Sequence, residues 1–307
     1  MKVVFVTGAT ATGKSDWALR LAEDSGAVIV NCDSVQVYEG LEIGSGLPTR
    51  EERSRVPHHL YAYVKPPREM TAGDFRADFF QQLRALPADS RVLVVGGTGF
   101  YFQAVEKGMF PAPAVAAEIH ERVRVELLAD PESAMEELRE GDPRTAARLN
   151  PSDHYRVARA LELLRAGHRP SELQDNFQPE PFPFPLLKTG VSWPREALRE
   201  RIRRRVAGMI ARGLREETRG LLERGLENWA PLASVGYKET VRALRDGFDD
   251  EWLLEEICLR TGQLAKRQET WFKRDRDIQV FSGDVGFASF RESALRFFDR
   301  DGTLESP

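Results

Sequence analysis

Apolar residues along this chain follow two periods, and which one dominates changes with position. Near the start, Val3-Val4-Phe5-Val6 is an unbroken β-branched and aromatic run, the pattern of a parallel strand buried on both faces. Ala27-Val28-Ile29-Val30-Asn31-Cys32 and Arg91-Val92-Leu93-Val94-Val95 repeat it. Helical spacing separates these runs. Residues 15–22 read as an amphipathic helix, and 71–86 places Phe75, Phe79, Leu83 and Leu86 three or four apart. Thr71 with Asp74 has the form of a capping pair at that helix's start. Strands alternating with helices predict an α/β fold on a parallel sheet.

The pattern shifts after residue 114. Charged, helix-favouring sequence without a convincing strand runs to residue 167, and predicts helices over 115–129, 131–140, 143–149 and 151–166. Prolines mark several of their starts. Pro179, Pro181, Pro183 and Pro185 then read as an extended linker. A strand is predicted at 186–193, followed by helices over 195–212 and 213–225, another opened by Ser234-Val235-Gly236-Tyr237-Lys238, and the longest over 250–273. A last strand at 278–281 and a last helix at 286–299 close the chain. The expected organisation is a core of 1–113 and 186–307 interrupted by a helical insertion, 114–185.

With 307 residues, 41% hydrophobic and 30% charged, the composition is that of a globular protein with a sizeable core. Two cysteines, Cys32 and Cys258, are too few for a disulfide framework, and no apolar run approaches membrane-spanning length. A cytoplasmic protein without a signal peptide or membrane contact is expected. The net charge of −4 argues against nucleic acid until its distribution is considered. Arg199, Arg201, Arg203, Arg204 and Arg205 crowd one predicted helix; Lys266, Arg267, Lys273, Arg274 and Arg276 crowd another. Such clusters are solvated faces unless the chemistry calls for a polyanion.

The chemistry begins directly after the first strand. Gly8-Ala9-Thr10-Ala11-Thr12-Gly13-Lys14-Ser15 is a phosphate-binding loop, Gly-x-x-x-x-Gly-Lys-Ser, set between a strand and a helix. Its glycines let backbone N–H groups converge on one anion, Lys14 adds a charge, and the Ser15 hydroxyl can hold Mg²⁺. The second strand ends at Asp33, which should face the bound phosphate across a cleft or else cap the next turn. Residues 39–49 read as a glycine-rich loop near that cleft. The adjacent His58 and His59 point apart on any regular element, so they are not expected to form a metal pair. The third strand ends in Gly96-Gly97-Thr98, where a nucleotide hydrolase would carry a magnesium-binding Asp.

Taken together, the motifs resemble the tRNA dimethylallyltransferase family. The resembling residues are Gly8 to Ser15, Asp33-Ser34-x-Gln36-x-Tyr38, Pro57-His58-His59, Gly96-Gly97-Thr98 and Val235-Gly236-Tyr237. Asp153-x-x-Arg156-x-x-Arg159-Ala160-Leu161-Glu162 and Gln263-Leu264-Ala265-Lys266-Arg267-Gln268 complete the set, in the family's order over nearly the whole chain. The resemblance implies a P-loop NTPase-like parallel-sheet core with a helical insertion, Mg²⁺, dimethylallyl diphosphate and a tRNA anticodon loop. It implies transfer of the five-carbon group to the N6 amine of the adenosine 3′ of the anticodon; a monomer is expected. Asp33 would take the amine proton, with Thr98 near the reacting centre. Asp33, Ser34, Val35 and Gln36 would contact tRNA, as would Tyr155, Arg156, Val157, Ala158, Arg159, Lys266 and Arg267. His120 aligns with a supporting Arg of the family, with Arg122 close by, and Ala9 replaces a frequent Pro. The nearest alternative is an adenylate dimethylallyltransferase acting on free AMP, ADP or ATP. A small-molecule P-loop kinase and a non-catalytic RNA-binding protein are more distant.

Overall fold

The computed structural model describes residues 1–110 and 113–300. It contains a six-stranded, all-parallel sheet in the order β3-β2-β4-β1-β5-β6. The strands are β1 (Lys2–Gly8), β2 (Val28–Asn31), β3 (His58–His59), β4 (Arg91–Val95), β5 (Leu186–Ser192) and β6 (Gln279–Ser282). The central strand β1 is buried from Val3 to Gly8, as a parallel strand covered on both faces must be. It sits between β4 and β5, with Val4 opposite Leu93 on one side and Leu187 on the other.

Helices α1 (Lys14–Ser25), α2 (Arg50–Arg55), α3 (Ala72–Ala85) and α4 (Gly99–Lys107) belong to the first half of the chain. Thr71 caps α3 as its sequence predicts: its hydroxyl accepts from Asp74 N at 3.1 Å, and its own N donates to Asp74 Oδ2 at 3.1 Å. Such a box is worth about 1 kcal/mol. His58 and His59 form an edge strand where the sequence suggested none, and His58 Nδ1 bonds Val56 O at 2.7 Å. Among the described residues, no group of three or more His, Cys, Asp or Glu could hold a metal ion.

The chain divides into two compact units, 1–106 with 182–307, and 107–181. The sequence placed this division at 114 and 185. The smaller unit holds α5 (Ala117–Ala129), α6 (Pro131–Gly141), α7 (Pro143–Ala146), α8 (His154–Arg165) and α9 (Pro170–Asp175). Its core is built from Val123, Leu127, Met135, Leu138, Val157 and Leu161. Helix α9 had no counterpart in the sequence reading, because it is fixed by a remote cap. Ser171 N donates to Asp142 Oδ2 at 2.8 Å, while Thr145 N and Oγ1 donate to the same carboxylate. Burial pushes the Asp142 carboxyl up, and these hydrogen bonds outweigh it and hold it below the usual range.

The larger unit is completed by α10 (Arg195–Ala211), α11 (Leu214–Glu223), α12 (Tyr237–Asp246), α13 (Asp250–Phe272) and α14 (Phe287–Asp299). A single 3₁₀ turn, Ala230–Ala233, precedes α12. Helices α10 and α13 pack against each other, and side chains from both reach the loop that follows β1. No helix among the described residues is long and apolar enough to cross a membrane.

Candidate active site

The loop after β1 turns through three residues with positive φ: Gly8 at 148°, Ala11 at 63° and Gly13 at 89°. A Cβ on Gly8 would meet Val191 O at 2.7 Å, so the first glycine of the motif is demanded by its neighbour on β5. Within the loop, Thr12 Oγ1 donates to Ala9 O at 2.9 Å and Lys14 Nζ reaches the same carbonyl at 3.3 Å. The outward carbonyls are held from behind. Arg201 Nε donates to Ala11 O at 2.8 Å, and Trp193 Nε1 donates to Thr12 O at 2.8 Å. The Arg201 guanidinium also lies 4.4 Å from the centre of the Trp193 ring. Lys14 begins α1, so that helix's positive end lies at the loop.

Asp33 follows β2 and faces the loop across one cavity. Its Oδ1 accepts from Val35 N at 3.0 Å and Gln36 N at 3.4 Å, so it holds the turn, while its Oδ2 carries no hydrogen bond among the described residues. The turn-holding role considered from sequence is thus carried by Oδ1. Thr98 Oγ1 accepts from Ser34 N at 3.0 Å and donates to Ser34 Oγ at 3.2 Å, tying the end of β4 to the Asp33 turn. Gly96 cannot carry the magnesium-binding Asp of a hydrolase. A Cβ there would come within 1.9 Å of Cys32 O, because β2 and β4 converge at this point. Gln268 of α13 bridges loop and turn: its Oε1 accepts from Thr10 N at 2.8 Å and its Nε2 donates to Gly97 O at 2.9 Å.

The cavity so enclosed measures about 380 Å³ and is lined by Lys14, Ser15, Asp33, Thr98, Arg205 and Arg267, with Met209, Ile257 and Leu264 as its apolar wall. A second cavity of about 760 Å³ adjoins it at Lys14, Ser15, Gly46, Arg205 and Met209, and is lined by Arg50, Arg53, Arg201, Arg204 and Arg212. Arg205 therefore stands between the two. It donates to Thr10 Oγ1 at 2.9 Å and to Ser45 O at 3.1 Å. Burial lowers the Lys14 ammonium to about 8; Asp33 offsets part of this and Arg205 adds to it. Burial also lowers Arg205 from its ordinary range. Two half-buried cations facing one carboxylate leave positive charge that an anionic ligand would neutralise. A Mg²⁺ fits this donor set. With a single hydroxyl, Ser15, at the mouth of α1, it would depend on phosphate oxygens and water, as Mg²⁺ usually does.

This geometry has relatives. The family model for IPP transferase matches residues 36–275. A Bdellovibrio bacteriovorus protein named tRNA dimethylallyltransferase is 53% identical, over 96% of this chain and 97% of its own. The chain belongs to the IPP transferase family. A Geobacter metallireducens protein of the same name is 41% identical over 97% of both chains. Among solved structures, a eukaryotic dimethylallyltransferase described as acting on tRNA superimposes with a TM-score of 0.80, at 26% identity, over 99% of this chain and 81% of its own. The full-length tRNA isopentenylpyrophosphate transferase of Bacillus halodurans gives 0.69 at 26% identity, over 97% and 96%.

Within the IPP transferase fold, the residues singled out from sequence separate into groups. Gly8 to Ser15, Asp33, Ser34, Val35, Gln36, Thr98 and Arg267 gather around the 380 Å³ cavity, either lining it or within its phosphate loop. Lys266 is exposed on α13 and does not line it. In the helical unit, Tyr155 and Arg156 are exposed on α8, Arg159 pairs with Glu162 at 3.1 Å, and Ala158 is half-buried. Val157 departs from the expectation: it is fully buried in that unit's core, so its side chain is structural. His120 Nδ1 pairs with Glu162 at 2.9 Å, on the same carboxylate as Arg159. Tyr38 and Tyr101 are core residues and Phe100 is exposed.

Sequence reasoning missed the roles of Arg201, Arg205 and Gln268 at the phosphate loop. Arg201 and Arg205 stood within an undifferentiated basic run. Their spacing of four, which puts both on one helix face, was the available signal.

Proposed function

We propose that this enzyme transfers the dimethylallyl group of dimethylallyl diphosphate to the N6 amine of the adenosine 3′ of the anticodon in tRNA, releasing diphosphate. The observation that carries this reading is Asp33 facing Lys14, Ser15 and Arg205 across one cavity. The amine attacks the allylic carbon, the carbon–oxygen bond breaks, and its electron pair leaves with the diphosphate. The proton leaving N6 passes to the Asp33 carboxylate. Lys14, Arg205 and the loop amides neutralise the charge gathering on the leaving group. Mg²⁺ held at Ser15 would add charge neutralisation there. Thr98 keeps the Asp33 turn in place through Ser34. Met209, Ile257 and Leu264 give the five-carbon chain an apolar wall.

The adenosine has to leave its stack to enter the cavity, which costs a few kcal/mol. Tyr155, Arg156 and Arg159 offer stacking and phosphate contacts to the RNA, and Lys266 and Arg267 add positive charge. The free-nucleotide alternative is disfavoured, because the relatives are named for tRNA and a neighbour of this fold is described as acting on it. Incubation with labelled dimethylallyl diphosphate, unmodified tRNA, AMP and ATP tests the proposal. Label in tRNA is expected. Label in AMP or ATP, or phosphate transfer from ATP, would overturn it.

A further inference from the structure

The loop between β2 and α2 is gripped from behind by residues far away in sequence. Three consecutive backbone amides converge on the carboxylate of Glu217 on α11. Glu42 N donates at 3.0 Å, Ile43 N at 2.8 and 3.1 Å to the two oxygens, and Gly44 N at 3.2 Å. Tyr237, at the start of α12 and fully buried, completes the grip. Its hydroxyl donates to Glu217 Oε1 at 2.6 Å and accepts from Gly44 N at 3.1 Å. Gly44 has to be glycine here, because a Cβ would lie 2.5 Å from the Tyr237 ring.

Successive amides aimed at one point form an anion-binding nest. In this loop the nest is filled by the protein's own carboxylate, and that decides which groups the loop presents to the cavity. Its following carbonyls face the other way. Ser45 O accepts from Arg205 Nη2 at 3.1 Å and from Gln36 Nε2 at 3.1 Å, and Gly46 O accepts from Gln36 Nε2 at 2.9 Å. Arg205 is a half-buried cation whose other hydrogen bond goes to Thr10 of the phosphate loop. If the loop carbonyl moves, the guanidinium loses one of the two anchors that set its direction.

We propose that Glu217 and Tyr237 are positioning residues that act through this loop to aim Arg205, and so set the affinity for the diphosphate. The inference rests on the reading of the cavity as a dimethylallyl diphosphate site. Neither side chain lines the cavity, so both act through the loop, whose Gly44, Ser45 and Gly46 do line it. Their loss should therefore appear in diphosphate binding, and not in tRNA binding.

The test compares Glu217→Gln, Tyr237→Phe and the exposed neighbour Glu216→Gln with wild type. The first substitution keeps the side-chain length but places an amide N–H₂ against backbone donors. The second keeps the packing and removes only the hydroxyl. Inorganic diphosphate binding is measured by calorimetry with Mg²⁺, alongside steady-state prenyl transfer and thermal melting. For Glu217→Gln, a roughly tenfold weaker diphosphate Kd and a matching rise in KM for dimethylallyl diphosphate are expected, with KM for tRNA unchanged. Tyr237→Phe should show a smaller change in the same direction, and Glu216→Gln none. Unchanged diphosphate affinity in both variants overturns the proposal. So does a fall in melting temperature and kcat with both KM values kept, since that marks a scaffold role only. Failure of the wild-type enzyme to prenylate tRNA would instead refute the reaction assigned to the cavity, while the calorimetry would still report on the clamp.

Discussion

Replacing Asp33 by Asn removes one charge and one proton acceptor from the cavity while keeping the turn. The amide oxygen of Asn can still accept from Val35 N and Gln36 N, as Asp33 Oδ1 does at 3.0 and 3.4 Å. Losing the proton acceptor should slow the chemical step by ~10²–10⁴-fold, the usual worth of general-base assistance. A second effect follows from Lys14. Burial already lowers its ammonium to about 8, and Asp33 is the group that holds it up. Without that carboxylate its pKa falls further, so near pH 8 most Lys14 would be neutral before the diphosphate arrives. The sign separates the two effects. Lowering the pH through the Lys14 pKa restores the ammonium and with it diphosphate affinity, but it does not restore a proton acceptor.

Single-turnover prenyl transfer at saturating tRNA and dimethylallyl diphosphate, between pH 6.5 and 8.5, resolves them. The expected result is a slow step throughout and a diphosphate Kd that tightens toward low pH. A rate within about threefold of wild type at pH 6.5 would sink the general-base role and leave Asp33 holding its turn and the charge of Lys14.

Gly96→Ala should destabilise the core by at least about 3 kcal/mol in urea unfolding, because its Cβ would run into Cys32 O of the adjoining strand. In the helical unit, Val157→Ala should lower stability by about 2 kcal/mol with little direct effect on tRNA affinity, whereas exposed Tyr155→Ala should weaken tRNA binding at unchanged melting temperature. The reverse pattern would show that the two faces of α8 had been exchanged. Replacing Lys266 and Arg267 together by Ala should flatten the salt dependence of tRNA binding by about one to two units of slope; an unaltered slope would return both to ordinary solvated positions.

Residues 3–32 and 71–95 could be read almost directly as elements, because buried parallel strands and amphipathic helices write their own periodicities, whereas the short α2 and β3 between them could not. The phosphate loop was equally plain, since one strand, one turn and one helix contain all of it. Asp33 and Thr98 were legible for a related reason: each sits at the end of a strand, and strand ends in a parallel sheet converge on one edge. The helical insertion showed as a change of composition, but its exposed side did not. Within 155–159 only packing separates exposed Tyr155 from buried Val157.

The tertiary structure alone decided which arginines of 199–205 serve the phosphate loop, because that depends on how α10 lies against the loop. It also decided that Gln268 spans Thr10 and Gly97, and that Glu217 fills the nest of a loop more than 170 residues away. Local sequence specifies periodicity and turns, because those depend on near neighbours along the chain. Contacts between distant residues are set by how the helices pack on the sheet, and no short stretch of this sequence encodes that packing by itself.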